Sequence, residues 1–296
     1  MVAATKMRKA QEIALASRPY AFAALDFLAT ISNLDVKLPE LFEKRDSSMG
    51  SGQALKVLFV VVSSDKGLAG SFNSSVFKKF EQHMQRDKEK YADEEKLYVA
   101  IGEKAFNYLS KKGEKVIKKF ISVGDYTTTE QAYPIAKFLI NGYLEKTWDR
   151  VVIVSMHFKS ALKQESHIRR ILPIDFDHIA DTVKEIIPER GKFAELIKEQ
   201  HISFVPDKTK LKEYLIEPSA EEALEEMAEH LFFIQVYHLI LEANASEHSA
   251  RRMAMKTASD NASDLGEVLN LEYNKSRQSK ITTEISEISA GAEALS

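Results

Sequence analysis

The sequence predicts an α/β protein: two terminal helices that pair with each other, and a globular domain of alternating strands and helices inserted between them. Three observations carry this. A heptad seam of small residues opens the chain, valine-rich strand signals alternate with amphipathic helical ones in the middle, and no proline occurs from Ser219 to Ser296.

The seam comprises Ala3, Met7, Ala10, Ala14, Ser17, Ala21, Ala24, Leu28 and Ile31, recurring at alternating steps of four and three. Small seam residues let a partner helix approach closely. Pro19 lacks a donor N–H and clashes with the preceding turn, so a kink is expected at Arg18–Pro19. This first helical zone covers residues 1–45.

The second zone, residues 55–206, is the α/β domain. Strands are predicted at Leu55–Ser63, Leu97–Ile101, Val116–Ile121 and Arg150–His157, all rich in valine and isoleucine. Between them, Ala132, Ile135, Ala136, Leu139, Ile140, Tyr143 and Leu144 form one apolar helical stripe, with Thr128 and Gln131 placed to cap it. Alternation of this kind argues for a mostly parallel sheet covered by helices.

The third zone, residues 219–296, opens with a capping box of Ser219 and Glu222 directly after Pro218. Its only glycines are Gly266 and Gly291, each tolerable at about 1 kcal/mol in a helix. An uninterrupted helix here would be about 110 Å long, and needs a partner along much of its length. Met227, Leu231, Ile234, Leu241 and Ala245 fit one seam, which also carries His238 and His248. Ile281, Ile285, Ile288, Ala292 and Leu295 fit a second seam in a different register, which implies a stutter between them.

Composition narrows the function. The 41 basic and 44 acidic residues leave a net charge of −3, which calls for neither nucleic acid nor an anionic membrane as partner. The absence of cysteine excludes disulfides, thiolate metal sites and a cysteine nucleophile, and suits a reducing compartment. The apolar run Val57–Val62 is far short of the roughly 20 residues a membrane helix needs. The chain is therefore expected to be soluble and to meet a membrane only through another protein.

Few residues suggest chemistry. The turn SSDKGLAGSFN (63–73) lies between a strand and a helix, where glycine-rich turns can cradle phosphate. It matches neither GxGxxG nor GxxxxGK[ST], so it reads as a tight connection using positive φ at Gly67 and Gly70. The histidines have no metal-ligand spacing, and His230, His238 and His248 are two or three turns apart. Glu221, Glu222, Glu225, Glu226 and Glu229 suit the positive end of a helix. Arg251, Arg252, Lys256, Lys275, Arg277 and Lys280 form either a solvated face or a contact for acidic partner loops, and their spacing leaves both readings open.

Several stretches resemble one family in the right order. EHSARRMAM (247–255), ASDNA (258–262), LEYNKSRQ (271–278), ITTEISEI (281–288) and Gly291-Ala292 resemble the C-terminal signature of the gamma subunit of the F-type ATP synthase. SSDKGLAGSFN resembles its strand-to-helix loop, MVAATKMRKA (1–10) and SRPYA (17–21) its first helix, and YLIEP (214–218) the entry to its last.

The resemblance implies an antiparallel coiled coil of the two ends with an inserted Rossmann-like α/β domain. It implies a non-catalytic rotary shaft that couples proton-driven rotation of a c-ring to nucleotide states of alpha and beta subunits, with no cofactor and no metal. Residue by residue, it places Arg251, Arg277, Gln278, Thr282 and Glu284 against catch loops of the beta subunits. It puts Ile281, Ile285, Ile288, Ala292 and Leu295 at a bearing tip, and Tyr214 and Glu217 where the foot meets the c-ring and the epsilon subunit. The implied location is the cytoplasmic face of a bacterial plasma membrane, reached only through the c-ring. The match begins partway into the family's first helix, so a segment encoded ahead of Met1 is expected. Two other classes compete: an α/β nucleotide-binding enzyme with coiled-coil arms, and a coil–globule–coil scaffold unrelated to energy conversion. The enzyme would need a phosphate loop and a catalytic constellation, and the sequence offers neither.

Overall fold

The computed structural model describes residues 5, 9, 37–45, 54–88, 92–123, 127–160, 162–175, 217 and 219–294. The seam expected over residues 1–45, with its Pro19 kink, lies almost wholly outside the described residues, as do Tyr214 and Leu295.

The central strand β1 (Lys56–Val62) is buried from Val57 to Val62, so both of its faces are covered. It pairs in parallel with β2 (Glu95–Ile101) on one side and β4 (Arg150–Phe158) on the other. Beyond β2 lies β3 (Val116–Phe120), also parallel. Beyond β4 lies β5 (Gln164–Leu172), which is antiparallel and completes the order β3-β2-β1-β4-β5. Four strands fall where the valine-rich runs predict them. The fifth, QESHIRRIL, was not anticipated, because polar residues occupy most of it. Its hairpin also lacks a glycine signal: the turn closes through Ser160, whose N–H donates to Lys163 O at 2.9 Å and whose Oγ accepts from Lys163 N–H at 3.1 Å.

Among the described residues there are four α-helices: α1 (Phe72–Arg86), α2 (Glu103–Lys111), α3 (Thr129–Leu144) and α4 (Ala220–Ala294). In α3 the predicted stripe is the buried one, from Ala132 through Tyr143. The Thr128 N–H donates to Gln131 Oε1 at 3.1 Å, which supplies the returning limb of its capping box. At the start of α4, Ser219 Oγ accepts from Glu222 N–H at 3.2 Å, as the sequence predicts. The acidic residues of its first turns, Glu221 to Glu229, are exposed.

The helix α4 is one element of 75 residues, but it belongs to two compact units that divide between Arg251 and Arg252. In the first unit its predicted seam is buried at Leu231, Leu241 and Ala245 and half-buried at Met227 and Ile234. A second face, outside the heptad seam, joins the core of the sheet: Leu224, Ala228, Phe232, Val236, Leu239, Ile240 and Ala243. The helix here is embedded on more than one side. In the second unit the helix is exposed almost throughout, with apolar Leu265, Val268, Leu269, Leu271 and Tyr273 all more than half exposed.

Candidate functional site

The parallel strands deliver their carboxyl ends to one edge, and between β1 and β4 the strand order reverses. In doubly wound sheets that switch point is where ligands bind. Here the polar residues of α4 meet that edge.

The turn after β1 is held by its own side chains. Ser64 Oγ donates to Lys66 O at 2.7 Å, and Ser64 N–H donates to Asn73 Oδ1 at 3.0 Å. Asp65 accepts from the Glu103 N–H that opens α2, and from Ser122 N–H after β3, each at 3.0 Å. Ser63 Oγ accepts from Ala105 N–H at 2.6 Å. The first turn of α2 is therefore satisfied by protein groups. The left-handed positions are Leu68 (φ 62°) and Gly70 (φ 56°), so the expectation of positive φ at Gly67 is corrected. A leucine tolerates this conformation at a cost of about 1–2 kcal/mol, which the surrounding hydrogen bonds offset.

Two carbonyls of the turn face a cation. Arg251 donates through Nη2 to Gly67 O at 3.3 Å and to Lys66 O at 3.4 Å, while Glu247 Oε1 accepts from the same guanidinium at 2.6 Å. A phosphate loop offers N–H groups to an anion; this turn offers carbonyl oxygens to a cation. Burial pushes the Glu247 carboxyl up even though Arg251 pulls it down.

On the β4 side, Glu242 is buried with its two oxygens divided between histidines. His157 Nδ1 lies 3.0 Å from Oε2 and His238 Nε2 lies 3.2 Å from Oε1, with Arg169 Nη1 at 4.0 Å. Burial alone would raise this carboxyl. The charge of His238 and the hydrogen bond from His157 prevail and hold it well below the usual carboxylate range. Asn244 Nδ2 donates to Thr127 Oγ1 at 2.7 Å, and Gln164 Nε2 donates to Ser249 Oγ at 3.4 Å. No set of three metal-ligating side chains occurs among the described residues. No described helix is long and apolar enough to cross a membrane.

The residues singled out in sequence are distributed unevenly. Arg251 is engaged within the first unit, as above. Arg277, Gln278, Thr282 and Glu284 lie on the exposed part of α4, where Thr282 Oγ1 donates to Gln278 O at 2.9 Å. Ile281, Ile285 and Ile288 share one side of that helix and are 44%, 58% and 72% exposed, with Ala292 exposed beyond them. Apolar residues so aligned and so open mark a surface that meets another chain or segment. Glu217 is exposed just ahead of α4. The sequence reading missed Glu242, Asn244, His157 and Asp65. A glutamate directly after the apolar run Leu239–Leu241 was the available signal.

The ATP synthase family model matches residues 1–295. The chain is 35% identical to the ATP synthase gamma chain of Roseiflexus castenholzii, over 100% of this chain and 90% of that one. It is also 35% identical to the ATP synthase gamma chain of Bdellovibrio bacteriovorus, over 100% of this chain and 91% of that one. In fold it resembles a chain from the central stalk and c-ring of the Tetrahymena thermophila mitochondrial ATP synthase, with a TM-score of 0.58 at 20% identity, covering 88% of this chain and 96% of that one. A chain from the Euglena gracilis mitochondrial ATP synthase gives a TM-score of 0.54 at 16% identity, covering 99% and 95%.

Proposed function

Because the chain belongs to the ATP synthase gamma-chain family, we propose that it is the rotary central-stalk subunit that couples c-ring rotation to ATP synthesis or hydrolysis on beta subunits. The observation that carries this reading is the long helix α4, anchored in an α/β domain at one end and apolar and exposed along Leu265 to Ile288. Such a surface needs partners, and an asymmetric shaft inside a ring of subunits uses every side of a helix at once. Each orientation of the shaft would stabilise a different state of each surrounding interface.

Arg277, Gln278, Thr282 and Glu284 are assigned to the beta-subunit contact. Ile281, Ile285, Ile288, Ala292 and Leu295 are assigned to the bearing tip, and Tyr214 and Glu217 to the foot that meets the c-ring and epsilon subunit. Arg251 already has partners within its own unit, and we assign it to holding the helix. The chain itself carries no catalytic residue; the α2 N–H groups of Glu103 and Ala105, already taken by Asp65 and Ser63, support that. Membrane association runs through the c-ring, at the cytoplasmic face of a bacterial membrane.

The test is co-expression with alpha, beta and epsilon subunits. A complex containing this chain with rotation-coupled ATPase supports the proposal; failure to enter such a complex sinks it. Within that complex, Arg277→Ala combined with Gln278→Leu should lower turnover per assembled hexamer several-fold. A guanidinium forks onto a carboxylate or carbonyls with about 1.5–3 kcal/mol per charge-assisted bond. Assembly should stay near normal, since both residues are exposed. Unchanged turnover would remove them from the contact.

The purified chain should give no heat with Mg-ATP at micromolar concentration in titration calorimetry. The turn after β1 presents Lys66 and Gly67 carbonyls to Arg251, and the α2 N–H groups of Glu103 and Ala105 are already taken. Micromolar binding would revive the nucleotide-binding alternative.

A further inference from the structure

We propose that the polar contacts between Glu242 and Arg251 form a torsional anchor, which stops α4 from turning about its own axis inside the α/β domain; the inference rests on the rotary reading above. Apolar packing is nondirectional. Polar contacts with defined partners are directional and resist rolling.

Their placement around the helix matters. At about 100° per residue, Ser249 lies nearly over Glu242, while Asn244 and Arg251 lie on roughly the opposite side. Glu242 is tied to His157 on β4, and Ser249 to Gln164 at the start of β5. Asn244 is tied to Thr127 ahead of α3, and Arg251 to Lys66 and Gly67 after β1. Four separate pieces of the domain thus grip two opposite sides of one helix. A roll in either direction strains both sides together, and neither can be relieved at the expense of the other. Arg251 is also the last residue of the first compact unit.

The chain has no cysteine, so Lys111→Cys, at the exposed end of α2, gives a single attachment point on the domain. A bead is attached there in a complex assembled with alpha and beta subunits, and its angular variance is recorded with the rotor stalled. Arg251→Ala should at least double that variance. Arg251→Lys should not restore it, because an ammonium on a shorter stem lacks the planar fork that spans Glu247 and the two carbonyls. Ile240→Val, which trims the apolar core of the same helix, should lower the melting temperature and leave the variance unchanged. An Arg251→Ala complex that assembles with wild-type variance overturns the anchor, as does a variance that rises equally in Ile240→Val. A wild-type chain that enters no such complex overturns instead the rotary reading on which the anchor rests.

Discussion

Replacing Glu242 by alanine should cost about 3–5 kcal/mol of folding stability, the range for deleting one partner of a buried ionic cluster. The carboxylate is buried, and its oxygens lie 3.0 and 3.2 Å from His157 and His238, with Arg169 at 4.0 Å. Alanine removes the only acid among these groups and leaves imidazoles and a guanidinium facing one another beside a cavity. Glu242→Gln keeps the volume and one acceptor and should cost less. The chain has a single tryptophan, Trp148, buried in the same unit, so urea unfolding followed by its fluorescence reports the relevant transition. A loss below about 1 kcal/mol, the worth of one ordinary hydrogen bond, would show that the cluster contributes little.

The same group sets an acid dependence. Its folded pKa is depressed below the ordinary 4.5, so the unfolded chain binds this proton more readily than the folded one. The stability it confers is therefore present above pH 4.5 and is lost as pH falls through the folded value. Wild type and Glu242→Gln should converge in stability as the pH drops below 4.5. A gap that stays constant into acid would mean that the carboxylate charge is not what matters.

Gly142→Ala should destabilise the same unit by about 1–3 kcal/mol, the usual cost of overpacking a core. This reverses the ordinary rule, since alanine in a helix interior normally gains about 1 kcal/mol over glycine. The need is for space rather than backbone freedom. A Cβ at Gly142 would run into the six-membered ring of Trp148. That indole is 2% exposed, its Nε1–H donates to Leu139 O at 3.1 Å, and Phe138 packs at 5.3 Å from it. The ring cannot retreat without giving up its hydrogen bond or its aromatic neighbour. The measurement is melting temperature together with Trp148 emission, which should shift to the red as the ring is displaced. A stabilised variant with unchanged emission would show that the ring moves aside freely.

Legible in the residues alone were a mixed α/β sheet with a long C-terminal helix, four of the five described strands, the stripe and capping residues of α3, and the start of α4. The sequence also determined the family, through short stretches spread over the chain. These features are local: burial on one side of a strand or helix repeats with the period of that element, so neighbouring residues carry the record of it. How α4 is held follows from contacts far apart in sequence. Its heptad seam was legible, but the second buried face from Leu224 to Ala243 and the polar grip on it were not. His157 and Glu242 are 85 residues apart, and Arg251 and Gly67 are 184 apart. Nothing in the spacing of either residue names the other, because which strand ends meet the helix depends on strand order. The strand β5 was hidden for a related reason. Its polar residues look unsuited to a sheet until β4 is beside it and His167, Arg169 and Arg170 lie half-buried in the folded unit. Left-handed Leu68 was likewise beyond reach, since a turn closed by Ser64, Asn73 and Arg251 outweighs the local preference that pointed to Gly67.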